Sequence, residues 1–216
     1  MENNQAKSPQ KKRSSLSRKK HEARILKAAE EVFAQFGFNG ATIDTIAKRA
    51  GLSKQNMLYY FASKQLLYQK VLEDILGLWL DSMALLDQPG QDPASKLESY
   101  IRKKIELSRT RPNGSKVFAT EIINGASHLS AEIRAKLLSR FEEDVRLVES
   151  WITAGKMDQI DPQHLFFMIW STTQTYADFS AQIELILGKK KLTLPDFEDA
   201  AKFITQVILK GTGLKC

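Results

Sequence analysis

Thr42–Lys64 reads T-I-D-T-I-A-K-R-A-G-L-S-K-Q-N-M-L-Y-Y-F-A-S-K. Thr42 is placed to cap a helix over 43–50, because its hydroxyl can accept an orphan backbone N–H of the first turn. Gly51 stands where that helix must stop, in a left-handed conformation that is cheap only for glycine. Ser53 caps a second helix, and Ser63 can cap a third that starts at Lys64. Helix, short glycine turn and helix at this spacing predict a helix-turn-helix. At about 100° per residue, Met57, Leu58 and Phe61 share one face of the second helix, and Gln55, Asn56, Tyr59 and Tyr60 the other. The apolar face is expected to dock on its neighbours. The polar face carries amides that can pair with adenine edges, and phenols that can reach phosphates. A short amphipathic helix with a merely wet polar face gives the same pattern.

Charge favours the nucleic-acid reading. The chain has 216 residues and a formal net charge of +7. Residues 1–72 hold 14 Lys/Arg against 5 Asp/Glu, while residues 73–216 hold 18 against 20. The basic excess therefore lies with the helix-turn-helix, as in a nucleic-acid-binding head joined to a neutral second domain. An anionic membrane surface would attract the same head, but no sustained basic amphipathic helix and no run of membrane-spanning length is present. Without a signal-peptide stretch, the expected location is the cytoplasm. The single cysteine, Cys216, builds no disulfide framework or thiolate metal site. His21, His128 and His164 lie far apart and show no paired metal-ligand spacing. No nucleophile elbow or phosphate-cradling loop appears, so neither catalysis, a metal nor a cofactor is expected.

Outward from Thr42–Lys64 the remaining pattern is helical, with no strand-like alternation. Residues 1–16 are polar, include Lys11-Lys12-Arg13 and read as a disordered basic arm. That arm either adds phosphate contacts or only solubilises. The first helix is expected over about 17–36, with Ile25, Ala29, Val32, Phe33 and Phe36 inward. Residues 17–63 then form the head and 64–216 the second domain. A long helix from Lys64 to about Leu86 joins them. Asp92-Pro93 opens a helix to about Thr110, with Leu97, Ile101, Ile105 and Ser108 inward. Arg111-Pro112-Asn113-Gly114 breaks the chain before a helix at about 115–123. The next covers about 131–153, with Ile133, Leu137, Leu138, Phe141, Val145 and Val148 inward. Asp161-Pro162 opens the eighth helix, to about Leu187, and Pro195 opens the ninth, to about Lys210. The expected fold is all-α with nine helices.

The residues Ala29, Phe33, Phe36-Gly37-Phe38, Gly40, Thr42, Ile46-Ala47, Ala50 to Lys54, Tyr59-Tyr60-Phe61 and Ser63-Lys64 resemble the TetR family of one-component repressors. The resemblance implies a homodimer on a palindromic double-stranded DNA operator. It implies that Ser53, Lys54, Gln55, Asn56, Tyr59 and Tyr60 lie at DNA and that Thr42 and Lys64 meet phosphates at helix ends. It further implies a C-terminal domain that holds a small-molecule effector and makes the dimer through the eighth and ninth helices. Ile160–Phe179 is similar to the pyrimidine-utilisation branch of the family, which implies release from DNA by uracil or thymine. A different aromatic or hydrophobic effector is the alternative. The residues themselves allow either reading. Phe167, Trp170, Gln174 and Asp178 recur at three- and four-residue steps on one helix face. Rings can stack on a heterocycle, an amide can match an imide edge and a carboxylate can accept a ring N–H. The same stripe also suits plain core. Tyr176 is a further candidate, and Trp79 on the link helix is the candidate opposite wall. Phe203, Ile204, Val207 and Ile208 give the ninth helix a broad apolar face, suited to a four-helix dimer bundle or to closing its own domain.

Overall fold

The computed structural model describes the backbone of residues 9–215 and the side chains of 18–215. It is all-helical, as expected, with ten α-helices among the described residues. The chain divides into two compact units, residues 1–71 and 72–216.

The first unit contains α1 (Pro9–Gly40), α2 (Ile43–Arg49), α3 (Lys54–Tyr60) and the start of α4 (Lys64–Met83). Residues 1–8 of the expected arm lie outside the described residues, and from Pro9 the backbone is already α1. Within α1, Gly37 departs from helical geometry with φ 67°, so the regular helix ends at Phe36. Its core is Ile25, Ala29, Val32 and Phe33, with Ile46, Met57 and Leu67 from the following helices. Two of the expected inward residues turn out instead to face solvent: Phe36 is 48% exposed and Leu58 39%. Of the apolar face of α3, only Met57 is fully buried.

The second unit contains the rest of α4, a 3-10 turn at Ala84–Asp87, α5 (Pro93–Thr110), α6 (Pro112–Ile123), α7 (Ala131–Thr153), α8 (Pro162–Asp178), α9 (Ser180–Ile186) and α10 (Leu194–Gly211). Helix α5 is the hub, packed on α8 and α10. Its Leu97, Ile101, Ile105 and Ser108 are buried as expected. Around them lie Phe166 and Ile169 of α8, Val148 and Trp151 of α7 and Ile204 and Ile208 of α10. Asp92 caps α5 by accepting from Ala94 N at 2.9 Å and Ser95 N at 3.1 Å. Asp161 caps α8 in the same way.

Two boundaries and one helix face differ from expectation. Helix α6 starts at Pro112, inside the stretch expected to break the chain, because proline at the first helical position lacks only an N–H that is orphaned anyway. The eighth helix is two. Phe179 takes φ −112° and ψ 24° between α8 and α9, with neither glycine nor proline to signal it. This raises the count from nine to ten. Helix α7 turns Leu138 outward, 60% exposed, and buries Asp144 instead.

Candidate functional site

In the first unit, local hydrogen bonds set the geometry of the helix-turn-helix. Thr42 Oγ accepts from Thr45 N at 3.1 Å, and Ser53 Oγ from Asn56 N at 3.2 Å. Between them, Leu52 N donates to Ala47 O at 2.9 Å and Gly51 N to Lys48 O at 3.1 Å. These paired bonds close the end of α2, with Gly51 at φ 65°. The turn therefore fixes where α3 starts. Gln55, Asn56 and Lys54 lie exposed on α3, and Tyr59 is 74% exposed. Tyr60 is half-buried; its ring lies 6.0 Å from that of His21 and 5.4 Å from that of Tyr59. Lys54 Nζ pairs with Asp44 Oδ2 at 3.0 Å. Arg18, Lys19, Lys20 and Arg24 are exposed along α1.

Lys64 sits differently from a freely extended phosphate contact. Its Nζ donates to Phe38 O at 2.8 Å and Ala41 O at 3.1 Å, and lies 4.4 Å from the centroid of the Phe38 ring. The ammonium pins the α1–α2 connection to the start of α4. We predict that Lys64→Met lowers head stability by about 1.5–3 kcal/mol, the worth of bonds to a charged group. Hydrogen exchange at 38–50 would accelerate. Unchanged exchange with weaker DNA binding would show that Lys64 acts only on phosphate.

The second unit holds a narrow cavity between α4, α5, α6 and α8. Trp79, Gln174, Lys104, Ser108, Arg111 and Ser115 line it, with Ile75, Leu78, Leu107 and Gly114. It has room for the centre of about one water-sized molecule, ≈ 10 Å³. The Trp79 ring meets Phe118 edge-on, at 4.4 Å between centroids. Lys104 is 3% exposed, with Nζ 4.3 Å from the centroid of the Trp79 ring. Burial pulls this ammonium down to about 7, and the Asp178 charge opposes that pull. Burial likewise raises the Asp178 carboxyl above its ordinary range, opposed by the neighbouring Ser115 hydroxyl and the Lys104 and Lys116 charges.

Of the six expected effector residues, Trp79 and Gln174 line the cavity and Asp178 is coupled to its lysine. Phe167, Trp170 and Tyr176 lie elsewhere. Phe167 stacks on Phe141 at 5.8 Å and is 45% exposed. Trp170 Nε1 donates to Tyr100 Oη at 2.7 Å inside the aromatic core. Tyr176 packs on Phe197 at 6.3 Å. Helix α8 meets both α5 and α7, so side chains one turn apart find different neighbours. The sequence reading passed over Lys104 and Ser115. The signal for Lys104 was its register, three residues after Ile101 and four before Ser108 on the buried stripe of α5.

On the expected dimer face, Ile204 and Ile208 belong to the unit's own core, whereas Phe203 is 65% and Val207 46% exposed. Among the described residues, no helix is long and apolar enough to cross a membrane.

Comparisons with known proteins cover both units. The model of the bacterial regulatory proteins of the tetR family matches residues 25–71, and that of the C-terminal region of YcdC-like proteins matches 72–215. The chain is 41% identical to the HTH-type transcriptional regulator RutR of Escherichia coli O157:H7, over 87% of this chain and 88% of that one. It is 28% identical to the HTH-type transcriptional repressor NicS of Pseudomonas putida, over 87% and 90% of the two chains. Two solved structures share the fold. The ketosteroid transcriptional regulator KstR2 of Mycobacterium tuberculosis superposes with a TM-score of 0.72 at 16% identity, over 88% of this chain and 94% of that one. AibR, solved with isovaleryl coenzyme A and operator DNA, gives 0.63 at 17% identity, over 87% and 97%. A helix-turn-helix head with its recognition helix exposed, a second helical unit, and matches that span both place the function in transcription regulation: the chain belongs to the TetR family of bacterial regulatory proteins.

Proposed function

We propose that this chain is a homodimeric repressor that binds a palindromic operator and is released by a small planar molecule, a pyrimidine such as uracil or thymine. Two copies of α3 enter successive major grooves on one side of the duplex, about 34–36 Å apart or a multiple of it. Gln55, Asn56 and Tyr59 meet the bases, Lys54 and Tyr60 flank them, and the capping hydroxyls of Thr42 and Ser53 lie beside phosphates. Exposed Phe203 and Val207 on α10, with Phe167 and Met168 on α8, supply the apolar surface that a second copy covers. The effector enters the cavity of the second unit, where the Trp79 indole offers a flat wall and the Gln174 amide both donates and accepts. That pairing of a flat wall with a two-way amide carries the pyrimidine reading, together with the likeness of Ile160–Phe179 to the pyrimidine branch of the family. The cavity as it stands is too small for a pyrimidine, so binding selects a more open form of the unit. An effector with a higher affinity for a form in which the paired heads no longer match the operator weakens DNA binding by that affinity ratio.

A thermal-shift titration tests the effector. Uracil at about 100 times its dissociation constant should stabilise the protein by about 2.7 kcal/mol, a rise of several degrees in Tm. Gln174→Ala should lose the shift. A shift by another compound, with none by uracil or thymine, would overturn the pyrimidine assignment.

A further inference from the structure

Helix α9 leaves large apolar side chains in solvent. Leu185 is 80% exposed, Ile186 72% and Leu187 52%, and Phe179 just before the helix is exposed as well. The other side of α9 is anchored: Ile183 turns to the core of the unit, and Glu184 Oε1 accepts from Leu192 N at 3.2 Å. Lys189 pairs with Asp196, and Lys190 and Lys191 follow, exposed. A contiguous apolar patch rimmed by charge marks an interaction surface. At the opposite end of α8, between its first turn and α7, lies an open groove of ≈ 580 Å³. Val145, Ile160 and Pro162 give it an apolar floor, and Glu149 and Asp161 place two carboxylates on it.

The outer face of α8 relates these two ends. His164, Met168, Ser171, Thr175 and Phe179 recur at three- and four-residue steps, and none of them is buried. The inner face, Leu165, Phe166, Ile169, Thr173 and Ala177, is buried. Ser171 stands at the middle of the outer face, and its small side chain lets two helices approach closely. In a two-fold contact, residue i meets residue j and j meets i. Where two copies of this face cross antiparallel at Ser171, Phe179, eight residues later, faces Gln163 of the other copy, eight residues earlier. The arm that follows Phe179 then lies over the groove beside Gln163. A parallel crossing would instead set Lys190 and Lys191 against their own copies, and Glu149 and Asp161 against theirs. The antiparallel crossing brings the basic end to the acidic groove, and charge favours it.

We propose that α9 is an arm that docks on a second copy of this chain. Leu185 and Ile186 seat in the groove between α7 and α8 of the other copy, with Lys190 and Lys191 beside its two carboxylates. This rests on the homodimer reading above and adds to it the direction of crossing and a contact outside α8 and α10. Symmetry makes the contact twice. Phe167, Met168, Phe203 and Val207 are few large exposed apolar residues for a stable interface, which takes roughly 20–30 residues a side. The two arms and their grooves enlarge that surface.

Thiol-specific crosslinking with a short bismaleimide tests the arm in the full chain carrying Cys216→Ser. Ile186→Cys and Glu149→Cys, co-expressed under different tags, should give a covalent dimer that carries both tags, and each variant alone should give none. Both positions are exposed, so the fold is kept. By sedimentation equilibrium, Leu185→Ser with Ile186→Ser should raise the dimer dissociation constant about 100-fold, since two arms lose their burial. The proposal needs both results. A wild-type dimer without the doubly tagged product, or one whose dissociation constant the two serines leave unchanged, overturns the arm and leaves the homodimer. Self-crosslinking of Ile186→Cys means a parallel crossing and does the same. Wild type that sediments as a monomer overturns both.

Discussion

Gln55→Ala and Tyr59→Ala should each remove sequence-specific DNA binding while the head stays folded. Both side chains are exposed on α3, and Tyr59 is 74% exposed. Such surface truncations change stability by no more than about 0.5 kcal/mol. A good base contact contributes about 1–3 kcal/mol, and a dimer loses it in both half-sites, so specific affinity should fall by about 2–6 kcal/mol. Non-specific affinity, which comes from cations such as Lys19, Lys20 and Arg24, should hardly change. Fluorescence anisotropy at fixed salt, on a selected site and on a scrambled one, separates the two terms. An equal loss on both duplexes would move these residues from base reading to backbone contact.

Arg140→Ala should be the most destabilising single change among the surface-reaching residues of the second unit. Its guanidinium donates to Asp87 Oδ2 at 2.5 Å, Met83 O at 2.7 Å and Asp144 Oδ1 at 2.5 Å. Asp144 is 0% exposed, and its Oδ2 has no partner. Burial pushes this carboxyl up to about 7, against the pull of Arg140. Removing the arginine strands a buried carboxylate, at a cost of about 3–5 kcal/mol. The sign of the pH dependence follows from the raised value. The folded state holds the Asp144 proton more tightly than the unfolded chain, so the stability this proton confers is full below about pH 4 and lost as pH rises through about 7. The deficit of Arg140→Ala should therefore be smaller at pH 5 than at pH 8, and Arg140→Ala with Asp144→Asn should recover much of it. Thermal unfolding at both pH values checks this; an equal deficit would mean that Arg140 acts by packing alone.

The head was legible because its determinants are local. Thr42, Gly51, Ser53 and Ser63 each act within a few residues of themselves, through caps and one left-handed turn, and residue type reports that chemistry directly. The second unit was legible where a residue's type agreed with its register, as at Leu97, Ile101 and Ile105. It was illegible where the two disagreed. Lys104 and Asp144 occupy buried steps of α5 and α7, yet a charged residue reads as outward, and Leu138 reads as inward although it is 60% exposed. Phe179 divides α8 from α9 with no helix-breaking residue. Phe167 and Trp170 read as effector-binding because they share a face of α8 with Gln174. Tertiary neighbours separate them: Trp170 packs with Tyr100 and Phe141, Phe167 stacks on Phe141 while remaining 45% exposed, and of the three Gln174 lines the cavity.

We propose a coupling, within one chain, of a DNA-reading head to a small-molecule cavity. Its most direct measurement is the affinity of the purified full-length protein for a palindromic duplex selected from a random pool, at fixed salt and pH 6.5, with and without saturating uracil. The expected result is a dimer per duplex, a specific complex without uracil, and release of that duplex by uracil in wild type but not in Gln174→Ala. A selected duplex held equally tightly with and without uracil or thymine would contradict this coupling.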